Sequence, residues 1–223
     1  MREWRVLIDE GLPAPAQMAR DERLAGEPVP TLRLFSWSPP AVSLGLKQPP
    51  PAWLEEPPWR AAGLELVERP TGGGMAFHGS DLSVSVIVPR APGLSVSTLM
   101  RAVCHSTGRL CRAYGLEASL LLEAPSNGRI TYCLREVSPY AVLIGTRKLA
   151  GFALRRYLRG WLIQGSLLIR PLPEALRRAV PAQVVASLDA RAVALSEAAH
   201  ASVQVEEVAR CWAGRWAAWW DSE

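Results

Sequence analysis

The residues best suited to chemistry fall in three places. The stretch "RPTGGGMAFHGSDLSVSVIVP", Arg69 to Pro89, sets three consecutive glycines, Gly72, Gly73 and Gly74, ahead of His78. Such a run frees the backbone to take positive φ and exposes amides that no side chain shields, which suits a ligand cradle and a tight turn equally. It is neither the dinucleotide fingerprint nor the P-loop. His78 either orients a ligand or caps the strand that follows. Cys133 stands in the polar loop "APSNGRITYCLREVSP", and Lys148 follows in "GTRKLAGFAL". Cys104 and Cys111 share one helical azimuth and read as small core residues, because free cysteine is among the most buried residue types. With four cysteines lacking the close pairing of a zinc site and only three histidines, no metal is expected. In a reducing cytoplasm the cysteines are free thiols, available for chemistry.

The elements that must position these groups follow from periodicity. "EWRVLIDEG" reads as a strand and "PAPAQMARDERLAGEPVP" as a helix closed by Gly26 and Pro28. "TLRLFSWSPPAVSLGL" reads as two strands around a tight connection, followed by a Pro-rich crossing with at most a short helix and the strand "LELVE". Leu82 to Val88 is the strand after the glycine loop. Ser97 to Tyr114 is the clearest helix, with Leu99, Val103, Leu110, Cys111 and Tyr114 near one face. "LEASLLLE" is a strand, "YAVLIGTRKLAGFAL" a hairpin with Gly145-Thr146 at its tip, and "GWLIQGSLLI" one more strand. After Pro171 the chain turns helical, in "LPEALRRAV" and "EEVARCWAGRWAAWW". There Val205, Val208, Trp212, Trp216 and Trp219 form a stripe that reads as core against the sheet.

At 223 residues and 49% hydrophobic, the chain can bury a full core, which excludes disordered and fibrous classes. One α+β domain over residues 1–223 is expected, with 170–223 its helical C-terminal part. The net charge of +4 rests on scattered arginines without a long basic run, so an acidic protein partner suits the surface as well as nucleic acid does. Charges throughout the N-terminal segment, and the lack of any stretch near the roughly 20 apolar residues of a membrane span, predict a cytoplasmic chain without signal peptide or membrane anchor.

Read together, five segments resemble the biotin/lipoate ligase and acyltransferase superfamily. "RPTGGGMAFHGSDLSVSVIVP" is similar to its signature loop and strand, and "TLRLFSWSPPAVSLGLKQ" to its Arg-x-x-x-Trp-x-Pro-x-x-x-Ser-x-Gly pair of strands. "GTRKLAGFAL" is similar to its Arg-Lys-(Val/Leu)-(Ala/Ser)-Gly-x-Ala hairpin, "IQGSLLI" to its Gly-(Ser/Thr)-(Ile/Leu) strand, and "VQVEEVARCWAGRW" to its closing helix. The resemblance implies a class II synthetase-like catalytic domain of mixed and antiparallel sheets flanked by helices. "TYCLREVSPYAVLIGTRKLAG" further resembles the ligase-like octanoyltransferases, in which a cysteine precedes the hairpin, five residues ahead of a serine, here Ser138, and seven ahead of a tyrosine, here Tyr140.

That likeness implies transfer of an octanoyl group from acyl carrier protein to a lysine of a lipoyl-domain protein, such as the glycine cleavage H protein or a 2-oxoacid dehydrogenase E2, with no cofactor and no nucleic acid. Cys133 would be the acyl-accepting nucleophile, since thiolates exchange readily with thioesters and the acyl-enzyme stays activated towards an amine. Lys148 would raise the thiolate fraction, hydrogen-bond the acyl carbonyl or manage the acceptor's proton. Arg69, Thr71, Gly72, Gly73, Gly74 and His78 would line the substrate site, with loop amides stabilising an oxyanion. Gly151 and Ala153 would leave room for the alkyl chain. Glu68 replaces a common arginine and removes a positive charge near the ligand, which counts most against a ligase; Phe152 and Leu154 flank Ala153 where Ser-Ala-Gln is common, and Gln164 stands near where a histidine is common, which implies a narrower or differently shaped pocket. The same superfamily also holds ATP- and Mg²⁺-dependent lipoate-protein ligases, amidotransferases that move octanoyl or lipoyl groups between carriers, and the option of a non-catalytic acyl-binding homologue.

Overall fold

The computed structural model describes residues 3–123, 131–136 and 138–220, with the side chains of Trp219 and Trp220 excepted. Its strands are β1 (Arg5–Leu12), β2 (Thr31–Trp37), β3 (Ala41–Leu44), β4 (Glu65–Glu68), β5 (Ala76–His78), β6 (Asp81–Pro89), β7 (Ser119–Leu121), β8 (Ala141–Ile144), β9 (Arg147–Arg156) and β10 (Gly160–Leu168). Seven form one sheet in the order β1-β2-β6-β10-β9-β8-β7, and three form a second in the order β4-β3-β5. Both are mixed, since β1 pairs with β2 and β3 with β4 in parallel while the remaining pairs are antiparallel.

The helices are α1 (Ala14–Ala25), α2 (Pro57–Ala61), α3 (Val96–Ala113), α4 (Glu174–Ala179), α5 (Ala182–Arg191), α6 (Leu195–Ala198), α7 (Val205–Ala213) and α8 (Trp216–Trp220). In α3, Ser95 caps the first turn by accepting from the Thr98 amide, and the buried stripe Leu99, Val103, Leu110 and Cys111 faces the large sheet. Trp212 and Trp216 join that core fully buried; Trp219 lies outside the described side chains. A second apolar cluster packs the small sheet, through Val42 and Phe77, against Trp53, Trp59 and the α4–α5 region.

The expected elements largely appear, with four differences. The two strands of "TLRLFSWSPPAVSLGL" belong to different sheets, and the Ser38–Pro39 corner carries the chain from one to the other. Residues 76–78, read as loop, form β5, which pairs with β3. The strand in "LEASLLLE" shrinks to three residues at the sheet edge. Helix α5 was not anticipated; Pro181 opens it and its Val184, Val185 and Leu188 are buried. Part of the expected Cys133 loop, residues 124–130 and 137, lies outside the described residues.

Candidate active site

The site is built where the two sheets face each other. On the large sheet Gly151, Ser166, Ser83 and Phe35 are successive cross-strand partners, and so are Ala153 and Gln164 one step along. On the small sheet Ser43 and Ala76 are paired, and His78 follows two residues on. With Trp37, Arg69 and Cys133, these side chains line a mostly apolar cavity between the sheets.

The segment carrying Cys133 is tied to the end of the glycine loop. The Met75 amide donates to the Thr131 carbonyl (2.8 Å), and the Cys133 amide donates to the Met75 carbonyl (2.7 Å). The Glu136 carboxylate accepts from the Tyr132 amide at 2.6 Å and closes the turn. From β9, the Lys148 Nζ donates to the Cys133 carbonyl (2.6 Å), the Glu136 carbonyl (3.2 Å) and Ser138 Oγ (2.7 Å). An ammonium has three donors, and all three hold the cysteine turn in place. Lys148 is only 4% exposed, a burial that these acceptors make tolerable. The spacings Cys133 to Ser138 and Cys133 to Lys148 thus describe one hydrogen-bonded unit.

Gly151 explains how thiol and ammonium come together. A Cβ there would fall 2.9 Å from Lys148 Cε, 3.1 Å from its Nζ and 3.2 Å from Cys133 Sγ, so both side chains occupy the space that any larger residue would take. Ala153 lines the cavity beside Cys133. Phe152 packs across Gly165 on the neighbouring strand, where a Cβ would fall 2.2 Å from the ring.

The glycine loop wraps a buried arginine. Arg69 Nη2 donates to the Gly72 and Gly74 carbonyls (2.8 and 2.7 Å), while Nη1 donates to the Ser43 carbonyl and Oγ (both 3.2 Å). Burial pushes the guanidinium below its ordinary value and the Cys133 side chain opposes that shift; an arginine remains a cation at neutral pH. Of the three glycines Gly73 takes positive φ, 91°. The loop's carbonyls turn onto Arg69, and the amides of residues 72–74 donate to no protein acceptor among the described residues.

Thr71 and His78 serve structure as well as position. Thr71 is fully buried and donates to Gln164 Oε1 (2.7 Å), while Gln164 Nε2 donates to Asp21 Oδ2 (2.6 Å). Asp21 also accepts from Arg33, itself fully buried (2.6 Å). His78 stacks on Trp37 and is hydrogen-bonded through Nδ1 to Asp81 and through Nε2 to Ser43 Oγ, both at 2.8 Å. Burial raises the Asp81 carboxyl, but the charge and hydrogen bond of His78, with Ser166 and the Gly79 amide, outweigh it and hold the group below the usual carboxylate range. Arg33 and Ser43 are the Arg and Ser of the Arg-x-x-x-Trp-x-Pro-x-x-x-Ser-x-Gly motif, whereas Asp81 and Asp21 carry no sequence signal beyond the three-residue offset of Asp81 from His78. Glu68, the departure next to Arg69, is exposed and accepts from the Lys47 amide (3.0 Å).

Cys133, Arg69, Phe152 and Ala153 also line a second, open cavity with Gly73, Gly74, Val96, Met100, Tyr140 and Leu154. The thiol therefore sits where two mostly apolar cavities meet. Cys104 and Cys111 are buried in the core, where desolvation pushes both thiols up to about 12.

Two mixed sheets closing on a cavity between a glycine loop and a Lys-x-x-Gly hairpin define the catalytic-domain fold shared by biotin and lipoate ligases. Residues 14–216 match the Lipoyl protein ligase A/B catalytic domain family, and the chain belongs to that family. It is 34% identical to the octanoyltransferase LipM of Symbiobacterium thermophilum over 87% of this chain and 78% of that protein. Identity to the octanoyltransferase LipM of Kyrpidia tusciae is 33%, over 93% and 84%. Among solved structures, a lipoate-protein ligase A bound with ATP superposes with a TM-score of 0.70 at 21% identity, covering 96% of this chain and 83% of that one. No described helix is long and apolar enough to cross a membrane.

Proposed function

We propose that this chain is an octanoyltransferase of protein lipoylation that takes an octanoyl group from acyl carrier protein onto Cys133 and passes it to a lysine of a lipoyl-domain protein. The observation that carries the reading is the place of Cys133 in the wall of two adjoining, mostly apolar cavities. The kinship with octanoyltransferases supports the same reading. The thiolate attacks the donor's carbonyl carbon, and the bond to the donor sulfur breaks as the carbonyl re-forms. The amides of Gly73 and Gly74 are the available donors for the developing oxyanion. In the second half the acceptor amine attacks the same carbon, gives up a proton, and the Cys133 thiolate leaves. Both halves balance without ATP, so no cofactor is required. Lys148 holds the nucleophile's turn, and the alkyl chain lies in the cavity that Gly151 and Ala153 line.

The test is intact-mass analysis after incubation with octanoyl-acyl carrier protein in the absence of ATP. An octanoyl adduct that hydroxylamine removes and that Cys133→Ala lacks is expected. No adduct, with lipoyl transfer appearing only once ATP and lipoate are supplied, would instead mark a ligase. Retained acyl binding without either activity would mark a binding protein.

A further inference from the structure

The outer edge of β9 leads from the thiol to a cluster of cations. Strand β8 pairs with β9 only as far as Ala141↔Gly151, and the last bond on that side is the Phe152 amide to the Tyr140 carbonyl at 3.3 Å. From Ala153 to Arg156 no strand among the described residues pairs with that edge. The period of two that turns the Phe152 amide outward also turns those of Leu154 and Arg156 outward. The open cavity at Cys133 is walled by Leu154 and Val96. Two residues further along the same strand, and two before Val96 in the loop leading into α3, Arg156 and Leu94 wall a neighbouring cavity together with Arg90 and Trp161. The run from Gly151 to Arg156 is about 17 Å at strand rise, the span of an extended phosphopantetheine arm.

Arg90 and Arg156 are exposed, as is Arg159, whose carbonyl accepts from the Arg90 amide (2.9 Å). None of the three makes an ion pair with a carboxylate among the described residues. Arg156 lies over the Trp161 ring at 5.8 Å. Between the arginines, at the β9–β10 turn, Leu158 is 86% exposed. An apolar side chain set among arginines that pair with no carboxylate among the described residues, near the cavity next to the one at the thiol, is the complement of an acidic protein surface carrying a phosphodiester-linked arm.

We propose that Arg90, Arg156, Arg159 and Leu158 form the docking surface for the acyl donor, an acidic carrier protein whose phosphate sits between Arg90 and Arg156 and whose arm lies along the bare edge of β9. This rests on the acyl-transfer reading above. A small cluster tied to the cysteine channel fits such a carrier better than a nucleic acid, which would need a longer basic track.

The experiment compares the wild type with Arg90→Glu/Arg156→Glu and with Leu158→Asp, using octanoyl-acyl carrier protein and S-octanoyl-pantetheine as donors. Expected is a 10- to 100-fold rise in KM for the carrier-borne donor. It should come with little change in kcat, a weakened salt dependence and unchanged rates on the pantetheine thioester. Equal rates on both donors, or equal losses on both, would overturn the proposal. So would an unimpaired donor step with slowed transfer from the isolated octanoyl-enzyme to the lipoyl domain, since the surface would then belong to the acceptor. A short RNA bound by the wild type and lost in the variants, with donor kinetics unchanged, would reassign the surface to nucleic acid. Failure of the wild type to form an adduct from either donor would refute the acyl-transfer reading itself, and this proposal with it.

Discussion

Lys148 is the residue whose environment narrows its chemistry most. Its three donors are taken by two carbonyls and a hydroxyl of the turn that presents Cys133, so in the proposed transfer it would place sulfur rather than shuttle protons. Misplacement of a reacting atom by an ångström costs on the order of 100-fold. Lys148→Ala should therefore slow acylation by about that factor or more at pH 7, and raising the pH to 9 should not restore it. A stopped-flow acylation series decides the matter; recovery at high pH would show that the lysine acted through its charge or proton. Asp81 carries a pH signature. Its folded-state value is depressed, so its contribution is present above the unfolded value near 3.9 and is lost as pH falls through the folded one. Melting temperatures of wild type and Asp81→Asn should differ by a steady gap down to about pH 5 that closes towards pH 3. A gap that widens on acidification would contradict the assignment.

Among the elements, α1 and the first two strands are joined by a buried cation. Arg33 on β2 reaches Asp9 on β1 (2.5 Å) and the Gln17 carbonyl and Asp21 of α1, and Asp21 passes the connection through Gln164 to Thr71 at the start of the glycine loop. Removing one partner of such a pair leaves the other charge uncompensated, at a cost of about 3–5 kcal/mol. Arg33→Met should show that loss in urea unfolding, together with weakened acylation although Arg33 lines neither cavity at Cys133. A variant as stable as the wild type would mean that the carboxylates find other partners. The expected helix over Ser97 to Tyr114, and the hairpin tipped by Gly145, which takes φ 58°, follow from local pattern alone, because their apolar periodicity matches the face they bury.

At the scale of the whole molecule the cavity is the gap left between two sheets, and in the proposed transfer an alkyl chain would fill it. Burial of apolar surface contributes roughly 25 cal/mol per Å², and a group held only by the folded state stabilises it. Octanoyl-enzyme formed with Cys133 intact should accordingly melt several degrees above the unacylated protein, while Gly151→Leu, which fills the space shared by Lys148 and Cys133, should abolish both adduct and shift. Differential scanning calorimetry of the two forms reads this directly; an acylated protein that melts at the apo temperature would place the chain outside the cavity.

The sequence by itself determined most of the strands, the longer helices, the glycine loop and the residue types around Cys133, because backbone propensity, side-chain periodicity and motif order are local properties. Only the tertiary structure decided that β2 and β3 part into separate sheets, that His78 is fastened between Asp81 and Ser43, and that the glycine loop closes its carbonyls on Arg69. It alone brought Lys148 beneath Cys133 beside Gly151, and among the described residues it left the edge of β9 beyond that glycine unpaired. These are consequences of pairing register and burial, which bring together residues far apart in the chain. A buried donor or charge must take whichever partners the folded packing supplies, and no window of sequence names them.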